Sequence, residues 1–112
     1  MRCLRLLHVN LRVENLSAAV RFYGEFLGLE PIPRVDGGGK GAWFRLGSTE
    51  VHLAEDPTPQ PRSKRHFAIE VADLSCARRE AEQRGAEIDQ EDVGRFWMRD
   101  PSGNRIEIVE AP

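Results

Sequence analysis

Cysteine and net charge are both scarce in this chain of 112 residues, and each scarcity removes a class of protein. With only two cysteines, Cys3 and Cys76, the chain is no disulfide-built scaffold. The expectation is two reduced, partly buried thiols in a cytoplasmic protein. Sixteen basic residues against eighteen acidic ones leave a net charge of −2, which argues against a nucleic-acid protein driven by electrostatics. No apolar run is long enough to span a membrane. The opening MRCLRLLHV lacks the charged, then apolar, then small plan of a secretory signal. Neither nucleic acid nor membrane is therefore an expected partner. Histidine is scarce as well, with three in all, yet all three fall on one internal repeat.

The repeat appears when HVNLRVENLSAAVR, from His8, is laid over HFAIEVADLSCARR, from His66. His8 meets His66, Val13 meets Val71, Leu16 meets Leu74, Ser17 meets Ser75, Ala19 meets Ala77 and Arg21 meets Arg79. Those are six identities in fourteen pairs, and pairs such as Leu11/Ile69 and Asn15/Asp73 are chemically alike. Further on the register slips by a few residues. Trp43-Phe44-Arg45 then meets Trp97-Met98-Arg99, and Val51-His52-Leu53 meets Ile106-Glu107-Ile108. The repeat thus pairs His8 with His66 and His52 with Glu107.

A chain of this length forms one compact domain, here built from two half-domains. Module one spans 1–56, a linker with Pro57, Pro59 and Pro61 spans 57–65, and module two spans 66–112. Alternation predicts a first strand over 4–13. Asn15 or Ser17 then caps a helix that Gly28 closes. RVDGGGK, with Gly41 after it, reads as a loop or hairpin turn over 34–41. Its Gly-Lys pair is no phosphate-binding P-loop, because no Ser or Thr follows Lys40. Strands are predicted at 42–46 and 50–55, joined by a tight turn at Gly47-Ser48. In module two a strand at 66–71 precedes a helix over 74–84 ended by Gly85. A weak strand near 86–89, a strand at 95–99, the turn Asp100-Pro101-Ser102-Gly103-Asn104 and a strand at 105–110 follow. The expected fold class is α+β, two tandem β-α-β-β-β modules whose mixed sheets curve into a cup with helices outside.

Successive strand residues point to opposite sides of a sheet. One side of these strands is apolar throughout, from Val9 and Leu11 to Ile106 and Ile108. The other side collects His8, Asn10, Arg12, Trp43, Arg45, Glu50, His52, His66, Glu70, Arg95, Trp97, Arg99, Arg105 and Glu107. A merely solvated face has no need of every histidine and both tryptophans. His8, His52, His66 and Glu107 offer three imidazole nitrogens and one carboxylate to a divalent ion such as Zn, Ni, Fe(II), Mn or Co. One anionic ligand leaves such an ion a competent Lewis acid. Glu107 or Glu50 is the candidate proton carrier, Glu50 because it stands two residues before His52 on the same face. Asn10, Trp43, Arg45, Arg95, Trp97 and Arg99 are the candidate substrate-binding residues, for a small and anionic molecule. A closed structural or regulatory metal site is the competing reading of the same ligands.

HVNLRVENLSAAVRFYGEFLGLE, LGSTEVHL, HFAIEVADL and RFWMRDPSGNRIEIVE together resemble the vicinal oxygen chelate superfamily along the whole chain. Its members include glyoxalase I, fosfomycin-resistance proteins, extradiol dioxygenases and bleomycin-resistance proteins. The resemblance implies paired β-α-β-β-β modules and a metal held by the first and last strand of each, on His8, His52, His66 and Glu107. It implies a homodimer, and lyase or isomerase chemistry on adjacent substrate oxygens. Glyoxalase I-like sites usually carry Glu where this chain has His52. Fosfomycin thiol transferases typically carry Thr or Cys where it has Asn10. His8, His66 and Glu107 also mimic the two-histidine, one-glutamate set of extradiol dioxygenases. A bleomycin-resistance-like module would bind its ligand without metal.

Overall fold

The computed structural model describes residues 1–35 and 38–112. Of the loop expected over 34–41, Asp36 and Gly37 lie outside the described residues. The chain divides into two compact units, Met1–Pro59 and Gln60–Pro112. Both have the expected order, and the fold is α+β with two tandem β-α-β-β-β modules. Unit one runs β1 (His8–Val13), α1 (Leu16–Val20), a π-helical turn (Arg21–Phe26), β2 (Glu30–Ile32), β3 (Gly41–Leu46) and β4 (Thr49–Glu55). Unit two runs β5 (His66–Val71), α2 (Leu74–Gln83), β6 (Glu87–Asp92), β7 (Arg95–Arg99) and β8 (Arg105–Glu110). The sheet orders are β1-β4-β3-β2 and β5-β8-β7-β6. In each, the first and last strands of the module pair in parallel at one end of the sheet, and the other neighbours are antiparallel.

Both helices start by one device, which explains part of the sequence repeat. Asn15 accepts from the Ala18 N–H, and Asp73 accepts from the Cys76 N–H. These are N-caps that satisfy a donor the helix cannot. A second free N–H finds a carboxylate from the end of the module's last strand: Leu16 donates to Glu55 (2.8 Å) and Leu74 to Glu110 (3.1 Å). Each carboxylate also lies at the positive end of a helix dipole. Beyond the caps the helices differ. Tyr23 and Ala81 hold equivalent positions and are both fully buried. The helix carrying Tyr23 widens into the π turn, with the Leu27 N–H donating to the Phe22 carbonyl. Tyr23 is a core residue.

The apolar strand faces pack as alternation predicts. Phe44, Val51 and Leu53 are buried in unit one, and Phe96, Met98, Ile106 and Ile108 in unit two. Each such side chain stabilises the fold by roughly 1.5–3 kcal/mol through burial. Among the described residues no helix is long and apolar enough to cross a membrane. Both cysteines are free. Cys3 is exposed, not partly buried, and the Cys76 thiol bonds to Glu80, whose carboxylate pushes that thiol's pKa up.

Three boundaries depart from the sequence expectation. β1 begins at His8 rather than residue 4, because its partner β4 begins at Thr49 and the hairpin turn leaves nothing further to pair with. Leu4, Leu6 and Leu7 are consequently exposed. β2, unplaced by pattern, contains Pro31; an edge strand tolerates a residue that cannot donate to the ladder. β6 extends to Asp92 and contains a bulge, with Ile88 opposite Met98 and Gln90 opposite Trp97, so that Asp89 is an inserted residue.

The turn after β7 is held by one side chain. Asp100 is 4% exposed; its Oδ1 accepts from the Ser102 and Asn104 N–H groups, and its Oδ2 from the Asn104 amide. Gly103 supplies the left-handed residue at φ 89°. The Asp100→Ala variant strands these donors and is expected to cost about 2–3 kcal/mol. Urea denaturation measures this, and an unchanged midpoint would refute the clip.

Candidate functional site

The strand registers set the repeat in three dimensions. In unit one His8 stands beside Glu50, Asn10 beside His52, and Trp43 opposite His52. In unit two His66 stands beside Arg105, Ala68 beside Glu107, and Trp97 opposite Glu107. His52 and Glu107 therefore occupy the same rung of equivalent ladders, as do Trp43 and Trp97. Arg45 and Arg99 correspond likewise, opposite Glu50 and Arg105.

In module one His52 is buried and sandwiched between two rings. His8 stacks on one face at 4.1 Å between centroids, and Trp43 on the other at 3.9 Å. His52 Nε2 lies 2.8 Å from Glu50 Oε1. Glu50 is half-buried, whereas His8, Asn10 and Arg45 are exposed. Arg45 makes no ion pair among the described residues.

In module two Glu107 is 7% exposed, and both its oxygens are engaged. Oε1 lies 2.9 Å from His66 Nε2, and Oε2 accepts from Arg95 Nη1 at 2.9 Å. His66 Nδ1 lies 2.8 Å from the Lys64 carbonyl, which can only accept, so Nδ1 carries the proton. That second contact is the support a metal-binding histidine ordinarily has, and it leaves Nε2 as the ligating atom. Trp97 is buried and meets His66 edge-on, with its Nε1 donor unpartnered among the described residues.

The donors fit a divalent ion. Two ligands at right angles, each about 2.1 Å from one ion, stand about 3.0 Å apart. His66 Nε2 and Glu107 Oε1 have that spacing, as nearly do His52 Nε2 and Glu50 Oε1. Within either module, no three His, Cys, Asp or Glu side chains among the described residues gather as a metal site.

Alternation alone does not separate the arginines of this face. Arg99 donates to Asp89 at 2.6 Å and to the Ser63 and Gly103 carbonyls, and so ties β7 to β6 and to the neighbouring loops. Arg105 is 6% exposed, lies over the Trp97 ring at 5.2 Å, and donates to Gln90 at 2.8 Å. Asp89 and Gln90 escaped sequence reading. Consecutive strand residues normally face opposite ways, and the bulge lets both reach arginines of one face.

Two β-α-β-β-β modules, with His52 and Glu107 at the same rung of equivalent ladders, define a tandem-module α+β protein. The chain belongs to the Glyoxalase/Bleomycin resistance protein/Dioxygenase superfamily, whose family model matches residues 5–108. A Bacillus anthracis protein assigned to the glyoxalase family is 30% identical over 100% of both chains, with a TM-score of 0.84. Two more distant structures show the same fold. A mutant of the fosfomycin resistance protein FosX from Listeria monocytogenes, complexed with Mn(II) and 1S,2S-dihydroxypropylphosphonic acid, is 16% identical at a TM-score of 0.85. That match covers 99% of this chain and 95% of the other. Lactoylglutathione lyase from Agrobacterium tumefaciens is 20% identical at a TM-score of 0.71, over 96% of this chain and 93% of that one. Comparison with curated proteins finds no match.

Proposed function

We propose that the protein is a metal-dependent enzyme in which His8, His52, His66 and Glu107 hold one divalent ion, and that it acts as a lyase or isomerase on a small anionic molecule with adjacent oxygens. The observation that carries this reading is the His66–Glu107 pair. Its Nε2–Oε1 distance of 2.9 Å suits two ligands of one ion, and the Lys64 carbonyl fixes the imidazole tautomer. His8 and His52 stand on the equivalent strands of module one. The reading requires the two pairs to serve one ion.

A bound Zn, Ni, Fe(II), Mn or Co would supply Lewis-acid stabilisation of charge developing on substrate oxygens. The chain supplies the rest. Glu50 bonds through Oε1 alone among the described residues, so its other oxygen is the one available to take up and return a proton. Arg45, exposed and unpaired on the same strand face, supplies positive charge for an anionic group. Asn10 offers a neutral hydrogen-bonding group beside His52. Trp43 and Trp97 are walls, Trp43 holding His52 by stacking. The relative crystallised with Mn(II) and a dihydroxyphosphonate supports an ion and an anionic oxygen ligand in this fold.

One observation favours a second reading, a metal-free ligand-binding module: the pairs His52–Glu50 and His66–Glu107 also satisfy themselves as hydrogen bonds. Elemental analysis of protein purified without a tag or added metal separates the two. About one ion per chain, lost in the His52→Ala/Glu107→Ala variant, is the expected result. No ion, and no uptake of Zn, Ni, Mn or Fe(II) on titration, would replace the enzyme with the binding module.

A further inference from the structure

We infer that Arg95 is a positioning residue that keeps Glu107 a one-oxygen metal ligand; the inference rests on the ligand set proposed above and assigns Arg95 a task other than substrate binding. Glu107 is nearly buried, and a carboxylate in that situation takes its orientation from what bonds it. Its Oε1 faces His66 Nε2, and Arg95 Nη1 donates to Oε2 at 2.9 Å. A charge-assisted bond on Oε2 holds that oxygen away from any ion met by Oε1. It thereby selects single-oxygen over chelating coordination. Arg95 and Glu107 are both in unit two, so the clamp is complete within one module.

The neighbouring arginines cannot substitute. Arg99 is bonded to Asp89 and two carbonyls, and Arg105 lies over Trp97 and is held by Gln90. Module one also has no counterpart. Arg95 stands two residues before Trp97, and the residue two before Trp43 is Gly41. A Cβ at Gly41 would lie 2.3 Å from the Leu53 carbonyl oxygen, so a side chain there would have to displace the ladder. The clamp is thus a feature of the module whose last-strand ligand is a carboxylate. It is absent from the module whose last-strand ligand is an imidazole, which has no second oxygen to restrain.

The test uses the full-length protein with Co(II) and Mn(II) as probes. Affinity is measured by titration calorimetry and coordination by the visible Co(II) spectrum, for wild type, Arg95→Ala, Arg95→Lys and His66→Ala. The Arg95 side chain is 45% exposed, so its removal leaves no cavity, but it strands Oε2 of the buried Glu107 and should lower the metal-free melting temperature by a few degrees, a loss that Arg95→Lys should restore. Arg95→Ala is expected to weaken metal binding about 10–100-fold. It should also lower the Co(II) visible absorption as Glu107 turns to chelate with both oxygens. Arg95→Lys, which restores a charged donor, should recover most of both. Wild-type affinity and spectrum in Arg95→Ala, with His66→Ala still losing the ion, would overturn the clamp and leave the ligand set standing. Equal losses in Arg95→Ala and Arg95→Lys with a lowered metal-free melting temperature would make Arg95 structural and overturn it as well. No metal uptake by wild type would overturn both the clamp and the enzyme reading.

Discussion

The His66→Ala variant is expected to bind divalent metal on the order of 10²–10³-fold more weakly than wild type while remaining folded. A structural zinc site of four ligands is worth roughly 10–16 kcal/mol, so one ligand in four accounts for about 3 kcal/mol, or about two decades of affinity. His66 is a strong choice because its imidazole is already held for the task. The Lys64 carbonyl fixes its tautomer, and Nε2 faces Glu107 at 2.9 Å. It stands exposed at the first position of β5, and its removal leaves no cavity in the apolar face. Calorimetric titration with Zn or Mn, beside a thermal melt of the metal-free protein, separates ligand loss from unfolding. Undiminished affinity would strike His66 from the ligand list and leave Glu107 without its partner.

A change at a residue with no side chain should have a large effect on stability. Gly41→Ala places a methyl 2.3 Å from the Leu53 carbonyl oxygen, inside the β3–β4 ladder, and about 3.2 Å from the Arg34 guanidinium carbon. A backbone carbonyl in a paired strand cannot rotate aside as a flexible side chain does. The strands must separate locally, which costs about 2 kcal/mol. In a domain of this size that corresponds to a fall of roughly 8 °C in melting temperature. Gly38→Ala is the control, because a Cβ there meets nothing within 4 Å. Equal melting temperatures for the two variants would show that the ladder at Gly41 is looser than it stands here. The same displacement would disturb His52, which pairs with Trp43 two residues along β3.

Residue pattern reached far into this structure where the governing interactions are short. The strands over 66–71, 95–99 and 105–110 fall where alternation and turn residues place them. Asn15 and Asp73 cap the N–H three residues on, a contact that sequence spacing alone can specify. The repeat register predicted that His52 and Glu107 are equivalent, and the ladders give them the same rung opposite Trp43 and Trp97. Pattern fell short where an element's extent depends on a distant partner. Residues 4–7 alternate as a strand should, yet the hairpin turn at Gly47-Ser48 ends the strand they would have paired with. Pro31 hides a short strand that only its position at the sheet edge permits.

The sequence by itself determined the doubled β-α-β-β-β order, the split of each strand into an apolar and a polar side, and the superfamily to which the chain belongs. These follow from periodicity and from residue types at fixed offsets, which are properties of the chain taken locally. Only the tertiary structure decided what each polar side chain does. Arg95 and Arg99 lie on one strand, on one face, four residues apart. One reaches Glu107 on β8, and the other reaches Asp89 on β6, because the bulge there aims an inserted carboxylate at it. Likewise the tautomer of His66 is set by the carbonyl of Lys64, a backbone atom whose direction no residue pattern records. Hydrogen bonds are decided within tenths of an ångström, at distances between groups that lie far apart along the chain, and those distances exist only once the strands have paired.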